Sequence, residues 1–512
     1  MNRLALKKRC FPFDLSVFVA ALALLASTAK ADVRLPALIC DHMMLQQKTE
    51  ANLWGWAYAG ETVEIEASWG EKVKAVASSN GVWSVKIKTP AAQPLDKGLH
   101  PETITFRVST ENAVQVKDVL IGEVWLCSGQ SNMAMMLGPD APAGRNNWYG
   151  EAFWNEESAK PDRPALRLIN IEKSASLVRQ PDCKSLMPDH STPVPEANGL
   201  FPDTMYGWQA CTKKTLPWFS AVAYYFGVKL QEKLNVPVGL ITSTVGGTAI
   251  QCWISLDALR SLPGKADVAT ELANPFKKAP SVLFNSMIAP LTPMTIQGVI
   301  WYQGESNAND SGAYQQLLST LISDWRTQWK NPALPFYIVQ LANFGKVTEQ
   351  PVGHTWANIR EAQLNVARTV TNTGLAVAID LGDTSIHPKN KRDVGQRLAL
   401  IALARDYGKE LEYSGPSYES MCIEGRSIRL KFSHQGGGLV AKNGQLKQFA
   451  IAGADKKFVW ADAVIDSETI VVSGPNIEAP VAVRYAWAAN PEGCNLYNKA
   501  GLPASPFRTD EW

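Results

Sequence analysis

The chain has 512 residues, 46% hydrophobic and 19% charged, with a formal net charge of +2. That is ordinary globular composition, at a length for two to four domains. There is no basic excess of the kind that nucleic acid or an anionic membrane demands. After residue 31 no stretch is long and apolar enough to span a bilayer as a helix.

Residues 1–31 stand apart. Arg3, Lys7, Lys8 and Arg9 make a basic start, Leu15 to Ala26 is an apolar run too short to span comfortably, and Ala29-Lys30-Ala31 offers a small-x-small cleavage site. The pattern reads as a secretory signal peptide and is set aside from the fold. Cleavage before Asp32 would remove five basic residues and one acid and move the formal charge from +2 to −2. The expected location is secreted or periplasmic, with neither nucleic acid nor membrane as partner. Cys40, Cys127, Cys183, Cys211, Cys252, Cys422 and Cys494 then remain, scattered and without a C-x-x-C pair. That argues against a zinc cage and a disulfide-built scaffold. No cofactor is expected. Export permits a bridge, and Cys183 with Cys211 is the first pair to test. The tryptophans are expected mostly in core and loop packing, with some free to stack on sugar rings.

From residue 32 to 117 the chain reads as short strands: Ala51–Tyr58, Thr62–Ser68, Val73–Ala77, Gly81–Thr89 and Glu102–Val108, broken by turn residues such as Asn80-Gly81. This predicts a β-sandwich or jelly-roll module. From 118 to 408 strands alternate with helices. An apolar run through Val124–Cys127 leads into Ser128-Gly129-Gln130, then Ser131, with Met133–Leu137 as the first turns of a helix. Ser220 caps a helix bearing Val222, Tyr225, Phe226 and Leu230. The strand Val238–Thr242 runs into Val245-Gly246-Gly247-Thr248, and Val299–Tyr302 into Gln303-Gly304-Glu305-Ser306-Asn307. A helix over Gly312–Trp329, a strand over Phe336–Leu341, a helix over Trp356–Val370, a strand over Leu375–Asp380 and a helix over Val394–Tyr407 follow. The fold class is therefore α/β, a mostly parallel sheet covered on both faces. Residues 138–216, rich in Pro, Asn, Asp and Trp, read as a loop-rich insertion, and 409–512 as a second β region.

Ligands of such sheets bind outside the carboxyl ends of the strands, so the polar clusters after three of them are expected to converge. Ser131, between a strand and a helix start, is well placed as a nucleophile. It needs a base. Among the histidines, His42 and His100 fall in the N-terminal module, His434 in the C-terminal region, His190 in the insertion, and His354 before a helix. His387 follows the last strand of the α/β region, where the base for a serine at a strand end belongs. Asp383, Asp380 or a carbonyl near Ser385 would orient it, with Asp383 preferred. The Ser131 N–H, a Gly246 or Gly247 N–H and the Asn307 amide would supply the oxyanion hole. A rival reading takes Glu305 as a glycosidase acid paired with Asp380 or Asp383, but it leaves the Gly-Gln-Ser-Asn stretch without a role.

At these residues the sequence resembles the sialate O-acetylesterase family of SGNH hydrolases. The matching pieces are Gly129-Gln130-Ser131-Asn132-Met133, Gly246-Gly247-Thr248, Trp301-Tyr302-Gln303-Gly304-Glu305-Ser306-Asn307 and Ile386-His387-Pro388-Lys389-Asn390-Lys391. Met44-Leu45-Gln46, Arg360-Glu361-Ala362-Gln363 and the stretch Gly501–Asp510 add to them. The resemblance implies a three-layer α/β/α core flanked by β modules. It implies a metal-free serine esterase that removes acetyl groups from sugar hydroxyls, with Ser131 as nucleophile and His387 as base. Gln130, Gln303, Glu305 and Arg360, from the matching motifs, are expected to line the substrate. Val245 stands where the family often has Trp, Cys252 where a small residue is expected, and Thr384 where the superfamily often has its Asp. O-acetylated sialic acid is the expected substrate, acetylated xylan or another acetylated glycan the alternative, and a non-catalytic glycan-binding protein the alternative class.

Overall fold

The computed structural model describes residues 33–108, 113–138, 152–183, 207–262 and 279–512. The signal-peptide reading and His190 lie outside them. The N-terminal strands are β1 (Met44–Gln46), β2 (Glu50–Trp56), β3 (Thr62–Ala67), β4 (Lys72–Val76), β5 (Val82–Lys88) and β6 (Glu102–Arg107). In β3 the buried Val63, Ile65 and Ala67 alternate with Thr62, Glu64 and Glu66, the pattern of a strand with one wet face. Antiparallel β2–β5 forms one small sheet, while β3 pairs with β4 and β6 in another. Trp83 on β5 meets Phe106 on β6 with ring centroids 5.8 Å apart, so the two sheets share one apolar core.

The next strand, β7 (Ala113–Gly129), does not respect the expected boundary at 117/118. Its first half pairs antiparallel with β6, and its second half is the centre of the α/β sheet. The bend falls at Asp118, which adopts φ 54°, a region that Asp tolerates better than most residues. Arg167 Nη1 and Nη2 donate to its carboxylate at 2.7 and 2.8 Å. Arg167 belongs to β8 (Arg163–Asn170), a core strand inside what the sequence presented as a loop-rich insertion. A buried arginine in mid-strand interrupts the apolar run, which is why the strand did not read as one. With β9 (Gln209–Cys211), β10 (Val238–Thr244), β11 (Gly298–Tyr302), β12 (Phe336–Val339) and β13 (Thr373–Ala376), the order is β13-β12-β11-β7-β10-β8-β9. All neighbours are parallel except β8–β9. The mostly parallel α/β sheet expected from the sequence is thus present.

Helices cover both faces. Trp125 and Ser128 lie three apart on β7 and so point oppositely, and Trp301 is in register with Ser128. Trp125 packs on Phe226 of α2 (Ala221–Leu234), and Trp301 on Trp325 of α3 (Tyr314–Gln328). The helices α4 (Thr355–Thr369) and α5 (Arg392–Arg405) complete the layers. Ser220 caps α2 as expected, its Oγ accepting from Ala223 N–H at 3.2 Å. His354 is a cap too, its Nδ1 accepting from Trp356 N–H at 3.1 Å. At the amino end of the sheet, Gln46, Gln47 and Tyr407 all donate to the buried Glu123 carboxylate, which gives the Met44-Leu45-Gln46 motif a structural job. Among the described residues there is no disulfide, and Cys183 and Cys211 are both buried and not joined to each other.

Residues 409–512 form further small β-sheets around a second core. They are tied to the α/β layer by charge. Arg397 of α5 donates to Asp380 at 2.6 and 2.8 Å, and Tyr497 from the C-terminal region adds a third bond at 2.9 Å. Burial alone would raise the Asp380 carboxyl; the Arg397 bonds and charge and the Tyr497 hydroxyl outweigh it and hold it below the ordinary value. Stability from this group is complete above its unfolded value of about 4 and is lost as pH falls through the lowered folded value. Arg397→Leu leaves the carboxylate uncompensated and is expected to cost about 3–5 kcal/mol in urea unfolding at pH 7. The deficit should shrink below about pH 4, as the carboxyl becomes neutral in the variant.

Candidate active site

The carboxyl ends of three strands stop at one level. Thr244 of β10 and Tyr302 of β11 are both in register with Gly129 of β7. Gly129 has φ 141°, and a Cβ there would lie 2.1 Å from the Tyr302 carbonyl oxygen. Only glycine permits that approach, and it lets Gln130 N–H donate to the same carbonyl at 3.0 Å. The chain then turns into α1 (Ser131–Ala134), a single turn. The helix expected to run through Leu137 ends early, because Met135 is extended and Met136 bridges to Ser220.

Ser131 Oγ lies 2.9 Å from His387 Nε2 across 256 residues of sequence. His387 comes from the loop after β13. Burial, then the nearby Lys391 charge, hold its pKa below the ordinary histidine value, so the ring is neutral at pH 7 and able to accept the serine proton. On the other side of Ser131, a Cβ built on Gly246 would sit 3.3 Å from the Ser131 Cβ. Gly246 and Gly247 are exposed, and among the described residues neither N–H has an acceptor. The Asn307 amide is fixed in orientation. Its Oδ1 accepts from Ile250 N–H at 3.0 Å and Gln303 Nε2 at 2.8 Å, and Nδ2 donates to Gln251 at 3.0 Å. One N–H of Nδ2 remains for a ligand. A serine and a neutral imidazole in contact, ringed by donors, make an arrangement suited to acyl transfer.

Residues 121–404 match the family model described as carbohydrate esterase, sialic acid-specific acetylesterase. The chain belongs to this family. It is 30% identical to proteins named sialate O-acetylesterase from Homo sapiens and Pongo abelii, over 93% of this chain and 92% of each relative. A crystal structure of a carbohydrate acetylesterase from Xanthomonas citri is 34% identical and superposes with a TM-score of 0.80, covering 94% of this chain and all of that one. The protein is therefore a carboxylic ester hydrolase of the sialate O-acetylesterase type.

Within the esterase several expected roles change. The Asp383 carboxylate is exposed and accepts from Ser385 N–H at 2.5 Å in a local turn. No hydrogen bond joins it to the His387 ring, and Asp380 is committed to Arg397 and Tyr497. Among the described residues neither aspartate is hydrogen-bonded to the His387 ring, and neither is hydrogen-bonded to Glu305. Three of the four residues expected to line the substrate are internal braces. Gln130 Oε1 accepts from Ser306 N–H at 3.3 Å. Gln303 is buried, donating to Asn307 and accepting from Tyr314 Oη at 2.9 Å. Arg360 has no exposure and donates to the carbonyls of Leu341, Ala342, Ala488 and Ala489 at 2.6–2.8 Å. Burial pushes its guanidinium down to about 9, still charged at neutral pH. Glu305 is half-buried at the site edge, accepts from Asn132 Nδ2, and has its pKa raised by burial. Val245 and Cys252 are both buried.

Asn132, Lys391 and Gln251 went unassigned in the sequence, since two of them sat inside motifs whose roles were given to their neighbours. Gly129→Ala tests the strand-end geometry. The clash with the Tyr302 carbonyl and the disfavoured φ should cost roughly 3 kcal/mol and reduce esterase activity beyond the stability loss, read by urea unfolding and turnover below the transition.

Proposed function

We propose that this chain is an exported serine esterase that removes O-acetyl groups from sugars, with O-acetylated sialic acid as its substrate. The observation that carries the mechanism is the 2.9 Å contact between Ser131 Oγ and His387 Nε2 beside the Gly246 and Asn307 donors. The substrate class rests on the sialate O-acetylesterases that share 30% identity over most of their length. Export rests on the composition of residues 1–31.

In this reading Ser131 Oγ attacks the acetyl carbonyl carbon while His387 Nε2 takes its proton. The carbonyl oxygen becomes an oxyanion, received by the N–H groups of Ser131 and of Gly246 or Gly247 and by Asn307 Nδ2. The tetrahedral intermediate collapses, the imidazolium returns its proton to the departing sugar oxygen, and acetyl-serine remains. Water, deprotonated by the same ring, then releases acetate.

Ser131→Ala should reduce acetate release by about 10³-fold or more, and Asn307→Ala by about 10²–10³-fold in kcat. A Ser131→Ala protein that keeps wild-type turnover would sink the mechanism. The acid limb of kcat/KM should fall below about pH 6.5, because burial and Lys391 disfavour the protonated His387. EDTA should leave the rate unchanged. Acetate release from acetylated mucin and acetylated xylan, assayed in parallel, separates the two substrate classes; preference for xylan would replace the sialic acid assignment.

A further inference from the structure

Among the described residues Asp380 and Asp383 make no hydrogen bond to the His387 ring, and His387 meets Ser131 at hydrogen-bond distance. The chain supplies another device. Asn132 follows the nucleophile, and Ile386 precedes the base. Asn132 Nδ2 donates to the Ile386 carbonyl at 3.0 Å and also to Glu305 Oε1. Its Oδ1 accepts from Lys391 Nζ at 2.6 Å. Asn132 is 2% exposed and Lys391 is wholly buried, with its ammonium 5.4 Å from the Tyr302 ring centroid. The His387 loop is thus tied to Asn132 at two points, the carbonyl before the histidine and the ammonium four residues after it.

The chemistry of these groups fixes the amide. An ammonium only donates and a backbone carbonyl only accepts. Lys391 must face Oδ1, and Nδ2 is then left to Ile386 and Glu305. Were the amide reversed, nitrogen would meet ammonium and oxygen would meet two acceptors. Three partners with one consistent solution make a rigid bracket, and losing one donor in a buried site strands the acceptor it served.

We infer that Asn132 and Lys391 are positioning residues of the esterase, a bracket joining the backbone beside Ser131 to the backbone beside His387. The inference rests on the serine–histidine reading above. Both act through the geometry of the reacting pair, so their loss lowers the rate of proton transfer and attack and leaves substrate affinity in place.

The test uses the full chain and four variants: Asn132→Asp, Lys391→Met, Lys391→Gln and Ser131→Ala. Asn132→Asp keeps the shape and the Lys391 contact but presents oxygen to Ile386 and Glu305. Lys391→Met removes the donor, and Lys391→Gln keeps one. Two rates are read, acetate release from 4-nitrophenyl acetate and labelling of Ser131 by a fluorophosphonate, with thermal unfolding to identify folded variants. Asn132→Asp and Lys391→Met should lose about 30- to 300-fold in kcat and in labelling rate, with KM moving less than about threefold. Lys391→Gln should recover part of that loss. A folded Asn132→Asp or Lys391→Met protein with kcat and labelling within about threefold of wild type overturns the inference, as does a rise in KM at unchanged kcat. Equal losses in Lys391→Met and Lys391→Gln overturn the role given to donation. Wild-type protein that labels no faster than Ser131→Ala overturns both this inference and the nucleophile assignment. Normal labelling without acetate release from any acetylated sugar overturns the substrate assignment alone.

Discussion

The site depends on a register. β7, β10 and β11 are neighbours in a parallel sheet, and Gly129, Thr244 and Tyr302 end them side by side. Because parallel strands all point one way, the loops that follow must leave from the same edge. Ser131 lies two residues beyond its strand end, Gly246 two beyond, and Asn307 five beyond. A slip of one residue in any of these strands would turn its buried side chains to the other face, and the packing of Trp125 and Trp301 on opposite helical layers forbids it. The aromatic core and the position of Ser131 are therefore one constraint.

Behind the reacting groups, buried amides are oriented by partners that can only give or only take a hydrogen. Ile250 N–H gives to Asn307 Oδ1, and Gln303 Nε2 gives to the same oxygen, so the Asn307 nitrogen faces outward. Gln303 is itself set by the Thr248 carbonyl, which can only accept from its Nε2, and the Tyr314 hydroxyl then donates to its Oε1. Donors in water must reorient to meet a developing charge, whereas these amides are oriented by folding. The same logic explains why so many glutamines and asparagines of the recognisable motifs are buried. Gln130 and Gln303 spend their amides on other motif groups, the Ser306 N–H and the Asn307 carbonyl oxygen.

Legibility in the sequence follows from this division. Strands with continuous apolar runs, such as Val238–Thr244 and Gly298–Tyr302, and helices with clean periodicity, such as Tyr314–Gln328, were readable because burial alone dictates their composition. Ser131, Gly246 and Asn307 were readable by position, since each follows such a strand. Strand β8 was not, because its Arg167 answers Asp118 on another strand, a pairing that no local pattern encodes. The contact expected between Asp383 and His387 is absent for a related reason. Sequence proximity to His387 suggested a contact, but a short loop carried that carboxylate to Ser385 N–H. Arg360 misled because a charged residue in a motif suggests a ligand, whereas this one is satisfied by four carbonyls.

Those carbonyls explain why the C-terminal region is part of the catalytic scaffold. Leu341 and Ala342 follow β12 at the carboxyl edge of the sheet, and Ala488 and Ala489 belong to the C-terminal region. A guanidinium with no carboxylate among these partners needs carbonyls from both sides to offset its burial. Next to it, Phe344 N–H donates to the Ala489 carbonyl at 3.1 Å, and Asn343 Nδ2 donates to Asn490 Oδ1 at 2.9 Å. Asn343 Oδ1 in turn accepts from Gly382 N–H at 2.7 Å, and Phe344 bridges to Asp383. The loop that presents His387 is thus braced at its start by residues that the C-terminal region holds in place. Without those partners Arg360 would lose half its acceptors, and the loop that carries His387 would lose this brace at its start. The β region after residue 409 reads in sequence as an appended module, but its contacts make it the outer wall of the histidine loop.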